Sequence, residues 1–159
     1  MFLRTSKRED KRRLQQLFYQ AVHSVNTRDH TPEQLAAWAP AEADKPVWEM
    51  FDQQHSFVVE KKKELLGFAS ISSQGQLTFL YVHPSEQGKG IGRALLRQIE
   101  RFARKRCLTA INAEVSTSAL SYFDKNGFVV LEEKIVLLRG VPVTRFWMEK
   151  ALKPVSEPI

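Results

Sequence analysis

The sequence is poor in cysteine, with Cys107 as the only one in 159 residues. A single cysteine cannot form a disulfide within the chain, and it has no partner for a cysteine-rich metal site. The histidines His23, His30 and His55 also lack the spacing of metal ligands. The sequence therefore predicts neither a disulfide framework nor a metal site.

Long apolar runs are missing as well, so no segment is expected to span a bilayer. The first residues turn charged at Arg4 and lack the apolar stretch of a secretory signal. A membrane partner is not expected, and a cytoplasmic location is the default expectation. With 43% hydrophobic and 26% charged residues, the chain suits one globular domain. We expect that domain over residues 1–152, followed by a frayed tail over 153–159.

Positive charge is in excess, with a formal net charge of +6 and a pI of about 9.6. Such a balance favours anionic partners: nucleic acid, a membrane surface or a phosphorylated small molecule. No RNA-binding aromatic motif or zinc-finger spacing supports nucleic acid. One basic group begins at a glycine-rich turn, where a phosphate would sit; it comprises Lys89, Arg93, Arg97, Arg101, Arg104, Lys105 and Arg106.

The periodicity of apolar residues predicts an alternation of helices and strands. Helices are expected over Lys7–Val25, after Thr31, after Pro46, over Gly90–Lys105 and over Ser118–Lys125. Strands are expected over Phe2–Thr5, Ser56–Glu60, Leu65–Ile71, Leu77–Val82, Leu108–Val115, Phe128–Leu138 and Val141–Glu149. This order is typical of an α/β (α+β) fold, with a mixed, mostly antiparallel sheet of six to seven strands and helices on both faces.

The segment Gln87–Gly92 connects a strand to a helix and contains three glycines. Glycines allow positive φ angles and bring several N–H groups close to one point. The start of the helix adds unpaired N–H donors and the positive end of its dipole. These features suit a pyrophosphate, although the spacing is that of neither a P-loop nor a G-x-G-x-x-G motif. An ordinary tight connection is the alternative.

Several segments resemble one protein family. Gln87, Gly90 and Gly92 match the pattern Gln/Arg-x-x-Gly-x-Gly/Ala, within a stretch that resembles the acetyl-CoA motif of the GNAT superfamily of N-acetyltransferases. The segment 118–128, which ends in Gly-Phe, is similar to a later segment of that family. Residues 21–40 and 139–150 are similar to its YafP-like bacterial branch.

The resemblance implies a GNAT domain that binds acetyl-CoA as a cosubstrate. It implies that Leu80, Tyr81 and Val82 lie on a strand that splays from its neighbour and pairs with the pantetheine, with the Val82 N–H as oxyanion donor. The pyrophosphate would be held beside Gln87 by the N–H groups of the following residues: Gly88, Lys89, Gly90, Ile91, Gly92 and Arg93.

The resemblance also bears on proton transfer. Many members carry a tyrosine four residues before the glycine of the Gly-Phe pair, as the acid toward the leaving thiolate. Here that position is Phe123, which we expect to pack against the cofactor. The adjacent Tyr122 is either that acid or a packing residue, and both interpretations are open; water is a third proton source. Glu114, at the end of the fifth strand, is either the base for the amine or a solvated carboxylate.

His30 and Trp38 are candidates for the acceptor site, because the helices before the second strand usually wall it in this family; packing is the alternative for each. The expected activity is transfer of an acetyl group to a primary amine of a small molecule or peptide by direct attack. The substitution at Phe123 motivates an alternative, a non-catalytic module that binds or senses acetyl-CoA. The sequence leaves monomer and homodimer open.

Overall fold

A computed structural model of the chain describes residues 1–25 and 27–153. Its strands are β1 (Phe2–Thr5), β2 (His55–Lys61), β3 (Glu64–Ile71), β4 (Gln76–Val82), β5 (Ala110–Ser116), β6 (Val129–Leu138) and β7 (Val141–Ala151). Its helices are α1 (Lys11–Val25), α2 (Pro32–Trp38), α3 (Lys45–Asp52), α4 (Ile91–Lys105) and α5 (Leu120–Lys125). None of these helices is long and apolar enough to cross a membrane.

The seven strands form one mixed sheet in the order β1-β2-β3-β4-β5-β7-β6. Its neighbours are antiparallel except for the pair β4–β5. The predicted fold class is confirmed. The tail predicted over 153–159 falls almost wholly outside the described residues, so the domain boundary at 152 stays a prediction.

Some element boundaries differ from the sequence prediction for local reasons. Residues 8–10 form a 3-10 turn before α1, and the side chain of Asp10 accepts the N–H of Lys7 at its start (2.7 Å). Leu108 does not begin β5, because its N–H bonds to the carbonyl of Ala103 (3.0 Å) at the end of α4. The last short helix is also preceded by a 3-10 turn, which Ser116 caps.

The sheet separates two apolar cores. The larger lies between the sheet and the helices α4 and α5, and includes Leu77, Leu95, Ile99, Ala113 and Met148. The second lies between the opposite face and the helices α1–α3, and includes Leu14, Phe18, Trp48, Phe68 and Phe79. Side chains that alternate along each strand therefore reach two different interiors.

The strands β4 and β5 are paired only at their beginning. Their ladder consists of Gln76 with Asn112 and Leu77 with Ala113, after which the two described strands part. On its other side, β4 stays paired with β3 as far as Val82, and the N–H of His83 still bonds to the carbonyl of Leu66 (2.8 Å). Hydrogen-bonding groups point to alternate sides along a strand. The N–H of Val82 therefore points away from β3, into the gap that the parting opens.

A bulge lies just before this gap. Ser70 is opposite Phe79, whereas the next residue, Ile71, is opposite Leu77, which leaves Thr78 as an extra residue in β4. The hydroxyls of Thr78 and Ser70 hydrogen-bond to each other (2.9 Å). As a result Leu77 and Phe79, two positions apart, belong to the two different cores.

The carboxylate of Asp10 joins the first strand to the first helix. Asp10 is 2% exposed and accepts hydrogen bonds from both terminal nitrogens of Arg4 (2.8 and 3.0 Å). It also accepts the N–H of Lys7 and a nitrogen of Arg13 (3.2 Å). The hydrogen bonds from Arg4 hold the pKa of Asp10 below its usual value.

We predict that Asp10→Asn lowers the free energy of unfolding at pH 7 by about 2 kcal/mol, because it removes a buried charge that pairs with Arg4. Since the folded pKa of Asp10 is depressed, its contribution is present above the unfolded value near 3.8 and is lost as the pH falls through the folded pKa. In denaturant titrations at several pH values, the free energy of unfolding of the variant should therefore fall less steeply toward acid pH than that of the wild type. Glu9→Gln is the matched control, because Glu9 is exposed; an equal effect of both changes would contradict the prediction.

Candidate active site

A cavity of about 720 Å³ lies where β4 and β5 part. Its lining comes from both faces of the sheet, with Leu80, Val82 and Tyr122 on the side of α4 and Phe18 and Trp38 on the side of α1 and α2. The end of β5 and the glycine turn before α4 complete its walls. The gap between β4 and β5 therefore connects the two faces of the sheet at this cavity.

The glycine turn is tied to the end of β4. The side-chain amide of Gln87 donates to the carbonyl of Val82 (2.9 Å). Gly88 and Gly90 have φ angles of +77° and +83°. A Cβ on either would meet no atom within 4 Å, so glycine is required there for its backbone conformation rather than for space. Such a turn directs consecutive N–H groups toward one point at the start of α4.

The structure brings most of the predicted pyrophosphate residues to this cavity. Gln87, Gly88, Gly90, Ile91, Gly92 and Arg93 all line it. Lys89 does not, because its side chain turns to Glu86, with Nζ 3.1 Å from a carboxylate oxygen. Whether the N–H of Lys89 contacts a phosphate stays a prediction.

Tyr122 presents its hydroxyl to the first turn of α4. A Cβ on Gly92 would lie 3.0 Å from the Tyr122 oxygen and 3.6 Å from a methyl of Val82. The absence of a side chain on Gly92 is what allows the phenol to approach this turn. Burial raises the pKa of Tyr122, and the charge of Arg93 opposes that effect. The phenol is therefore protonated at neutral pH, as a proton donor must be.

Phe123 occupies the position beside it and contributes only its ring. It is buried, packs edge to face against Phe128 (5.0 Å between ring centroids) and lines the cavity. The rings of Tyr122 and Phe123 are 6.0 Å apart and nearly perpendicular. Of the two neighbours, only Tyr122 offers an acidic proton in the cavity.

The opposite face of the cavity is aromatic. Tyr81 packs edge to face against Phe18 (4.9 Å) and lies 6.5 Å from Trp38, centroid to centroid. Burial raises the pKa of Tyr81. The main chain of Tyr81 is opposite Phe68 of β3, so by strand alternation it is Leu80 and Val82 whose hydrogen-bonding groups face the gap. The Tyr81 ring lies on the other face and lines the cavity, and the expected contact of Tyr81 with the cofactor stays a prediction.

The two acceptor-site candidates differ in position. Trp38 lines the cavity, whereas His30 is 9% exposed and packs behind it, with the two ring centroids 5.3 Å apart. His30 is not among the described residues that line the cavity. His30 contacts the Trp38 ring, and its contact with the acceptor stays a prediction.

Glu114 lies on β5 at the rim of the cavity. It is exposed and faces the same side as Trp147, its partner in β7. Its Oε2 lies 3.6 Å from Nζ of Lys134. This position allows a base that reaches the acceptor amine, and it also fits a solvated carboxylate with an ion-pair partner; both interpretations stay open.

Arg145, which was not among the predicted site residues, also lines the cavity. Arg145 is 4% exposed, and its guanidinium carbon lies 4.4 Å from the centroid of the Trp38 ring. Burial lowers its pKa, while Tyr81 and Glu114 act in the opposite direction. The signal was present in the period-two pattern of β7, which places Arg145 on the same face as the buried Val143.

No group of three metal-ligating side chains occurs in residues 1–25 and 27–153. The described residues that line the cavity offer instead a glycine turn at the start of a helix, an outward-facing N–H at Val82, a phenol and a carboxylate. Together they suit transfer of an acyl group from a pyrophosphate-bearing carrier.

Comparison with known proteins agrees with this geometry. The model of the acetyltransferase (GNAT) domain family matches residues 26–150. The chain is 25% identical over 133 residues to the uncharacterized N-acetyltransferase YafP of Escherichia coli K12, with 83% of each chain covered. A GCN5-related N-acetyltransferase from Rhodopseudomonas palustris superposes with a TM-score of 0.90 at 26% identity, over 95% of each chain. PaiA N-acetyltransferase from Thermoplasma acidophilum, in complex with coenzyme A, shares the fold with a TM-score of 0.72 at 22% identity, over 95% and 99%.

We predict that Gly90→Glu weakens acetyl-CoA binding at least about 100-fold, because it places a carboxylate where the pyrophosphate is expected and strains a residue at positive φ. Isothermal titration calorimetry measures the effect. Gly140→Glu is the matched control, since Gly140 has a φ of +81° and equally open surroundings in the turn between β6 and β7. Wild-type affinity in the Gly90 variant would show that this turn does not hold the cofactor.

Proposed function

Because this chain belongs to the acetyltransferase (GNAT) family, we propose that it transfers the acetyl group of acetyl-CoA to a primary amine by direct attack. The acceptor in this proposal is a small molecule or a peptide. The observation that supports it most is the cavity at the parting of β4 and β5, which is lined from both faces of the sheet. A thioester carrier on one face and an amine on the other would meet there without a covalent enzyme intermediate.

The side of α4 suits the carrier. The turn from Gly88 to Gly92 would hold the pyrophosphate, and the outward-facing main chain of Leu80 and Val82 would pair with the pantetheine amides. The thioester carbonyl would then lie by the N–H of Val82. A fixed backbone donor at the developing oxyanion is commonly worth a factor of about 10²–10³ in rate.

The side of α1 and α2 suits the amine. The neutral amine would attack the carbonyl carbon, forming the C–N bond as the C–S bond breaks. Glu114 would take the proton released from nitrogen, directly or through water, and the Tyr122 hydroxyl would give a proton to the departing sulfur. Both groups line the cavity, one on each side of the gap. The cytoplasmic location and the choice between monomer and homodimer stay predictions.

A second candidate is the non-catalytic module that binds or senses acetyl-CoA, and Phe123 at the usual tyrosine position favours it. A broad panel of primary amines, with release of CoA and mass spectrometry of the acetylated product as readouts, separates the two. Turnover with any amine removes the module. Normal acetyl-CoA binding with no turnover across the panel would overturn the proposed transferase activity.

We predict that Tyr122→Phe lowers kcat about 10²-fold while acetyl-CoA affinity is unchanged, because only the proton donor is lost. Steady-state kinetics and calorimetry measure the two quantities. Tyr19→Phe, a change of the same kind at a partly exposed site on α1, is the control. An unchanged kcat would mean that Tyr122 only packs and that water protonates the thiolate.

We predict that Glu114→Gln lowers kcat/KM about 10–10²-fold near neutral pH, and that the deficit shrinks as the pH rises. At high pH the amine is already neutral, so a base that accepts its proton matters less. Rate profiles from neutral to alkaline pH test this. Glu133→Gln, on exposed β6 and outside the cavity lining, serves as control. A pH-independent deficit would argue that Glu114 acts in binding rather than as a base.

A further inference from the structure

The guanidinium of Arg145 is a buried cation in the cavity wall on the side of α1 and α2, where the acceptor is proposed to bind. It is 4% exposed, and Nη1 donates to the carbonyl of Thr144 (3.2 Å). Across the described residues, no carboxylate lies within 4.0 Å of its nitrogens. A charge withdrawn from water to this extent is costly unless an opposite charge reaches it.

The neighbouring carboxylates do not pair with Arg145 directly, although the charge of Glu114, from beyond 4.0 Å, opposes the lowering of its pKa by burial. Glu114 pairs with Lys134 at the rim (3.6 Å), and Asp44 pairs with Arg139 (3.1 Å). Each of these carboxylates is thus matched by its own cation. Arg145 is left as an excess positive charge in a cavity whose other walls on this side are aromatic, including Trp38 and Tyr81.

The guanidinium is also held in a fixed orientation. Trp38 packs against its face at 4.4 Å, and the His30 ring in turn contacts the indole, with the ring centroids 5.3 Å apart. A planar fork that is fixed in this way matches the two oxygens of a carboxylate. A phosphate dianion would call for further cations, and the only other cation among the described lining residues is Arg93, beside the glycine turn on the side of α4.

The register of the sheet relates Arg145 to the reacting centre. Arg145 is opposite Ser116 in β5, two residues beyond Glu114 on the same face. Two residues along a strand span about 7 Å. A molecule of amino-acid size therefore suffices to place one group at Arg145 and another near Glu114 and the gap.

We infer that the acceptor is a small molecule that carries a carboxylate as well as its primary amine, as a free amino acid does. The carboxylate binds Arg145, and the amine lies toward Glu114 and the thioester. The inference rests on the proposed function and narrows it. It disfavours polyamines and aminoglycosides, whose positive charges Arg145 repels, and peptide N-termini, whose α-carboxyl is an amide.

The test on the wild-type enzyme compares α-, β- and γ-amino acids of varied side chain, each beside its own carboxamide. We expect kcat/KM for the preferred acid to exceed that for its amide about 10–100-fold, the range for a hydrogen-bonded charge. A carboxylate raises the pKa of a nearby ammonium, so amine reactivity alone would favour the amide. Equal or better turnover of the amides, or turnover of polyamines alone, would overturn the inference while leaving the transferase activity in place.

Variants at Arg145 locate the effect. Arg145→Met should bring the ratio of acid to amide close to one, and Arg145→Lys should restore part of it, both with unchanged acetyl-CoA affinity. Arg139→Met, an exposed arginine outside the cavity lining, should behave as wild type. A ratio that survives in Arg145→Met would overturn the assignment of this residue. If that variant does not fold, the wild-type comparison of acids with amides decides alone.

If no amine in either panel is turned over although acetyl-CoA binds, the proposed function fails and the inference fails with it. The two failures are thereby distinguishable.

Discussion

The parting of β4 from β5 is the constraint on which the rest of the site depends. Interior strands ordinarily bond on both sides, and a buried N–H without a partner is costly. This sheet nonetheless ends its one parallel ladder at Leu77 and Ala113 while β4 continues to Val82. The exposed strand edge is retained where it can meet the amides of a ligand. The glycine turn, Tyr122 and the aromatic wall are all placed relative to that edge.

Glycine serves this arrangement in two physically different ways. Gly88 and Gly90 have open surroundings and positive φ, so they matter through the path of the main chain. Gly92 lies inside the first turn of α4 and matters through space, because a Cβ there would come within 3.0 Å of the Tyr122 hydroxyl. One glycine-rich segment thus shapes the turn and also sets the depth to which the phenol reaches.

The order of elements and the glycine turn were predictable because both depend on local sequence. Apolar periodicity marks each helix and strand, and glycines near residue 90 mark a turn whatever packs around them. The face of β7 that carries Arg145 follows from strand periodicity, but the contacts of Trp38 with His30 and Arg145 were not predictable in this way. The contacts of the Trp38 ring with His30 and Arg145 depend on how α2 packs against β7. Neither strand periodicity nor helix spacing encodes that packing. The sequence placed Tyr122 next to Phe123 on the short helix α5. Whether its hydroxyl reaches the cavity depends on how α5 is rotated against α4, and the sequence did not determine that rotation.

The bulge at Thr78 affects where β4 can tolerate an insertion or a deletion. Beyond the bulge, Phe79 and Tyr81 face one interior while Leu80 and Val82 face the other. Without Thr78 the alternation would be regular and both sets would keep their faces, whereas deleting one residue between Phe79 and Val82 would turn neighbouring side chains to the opposite face. We therefore expect a change of chain length to be tolerated less between Phe79 and the glycine turn than in the connection between β2 and β3.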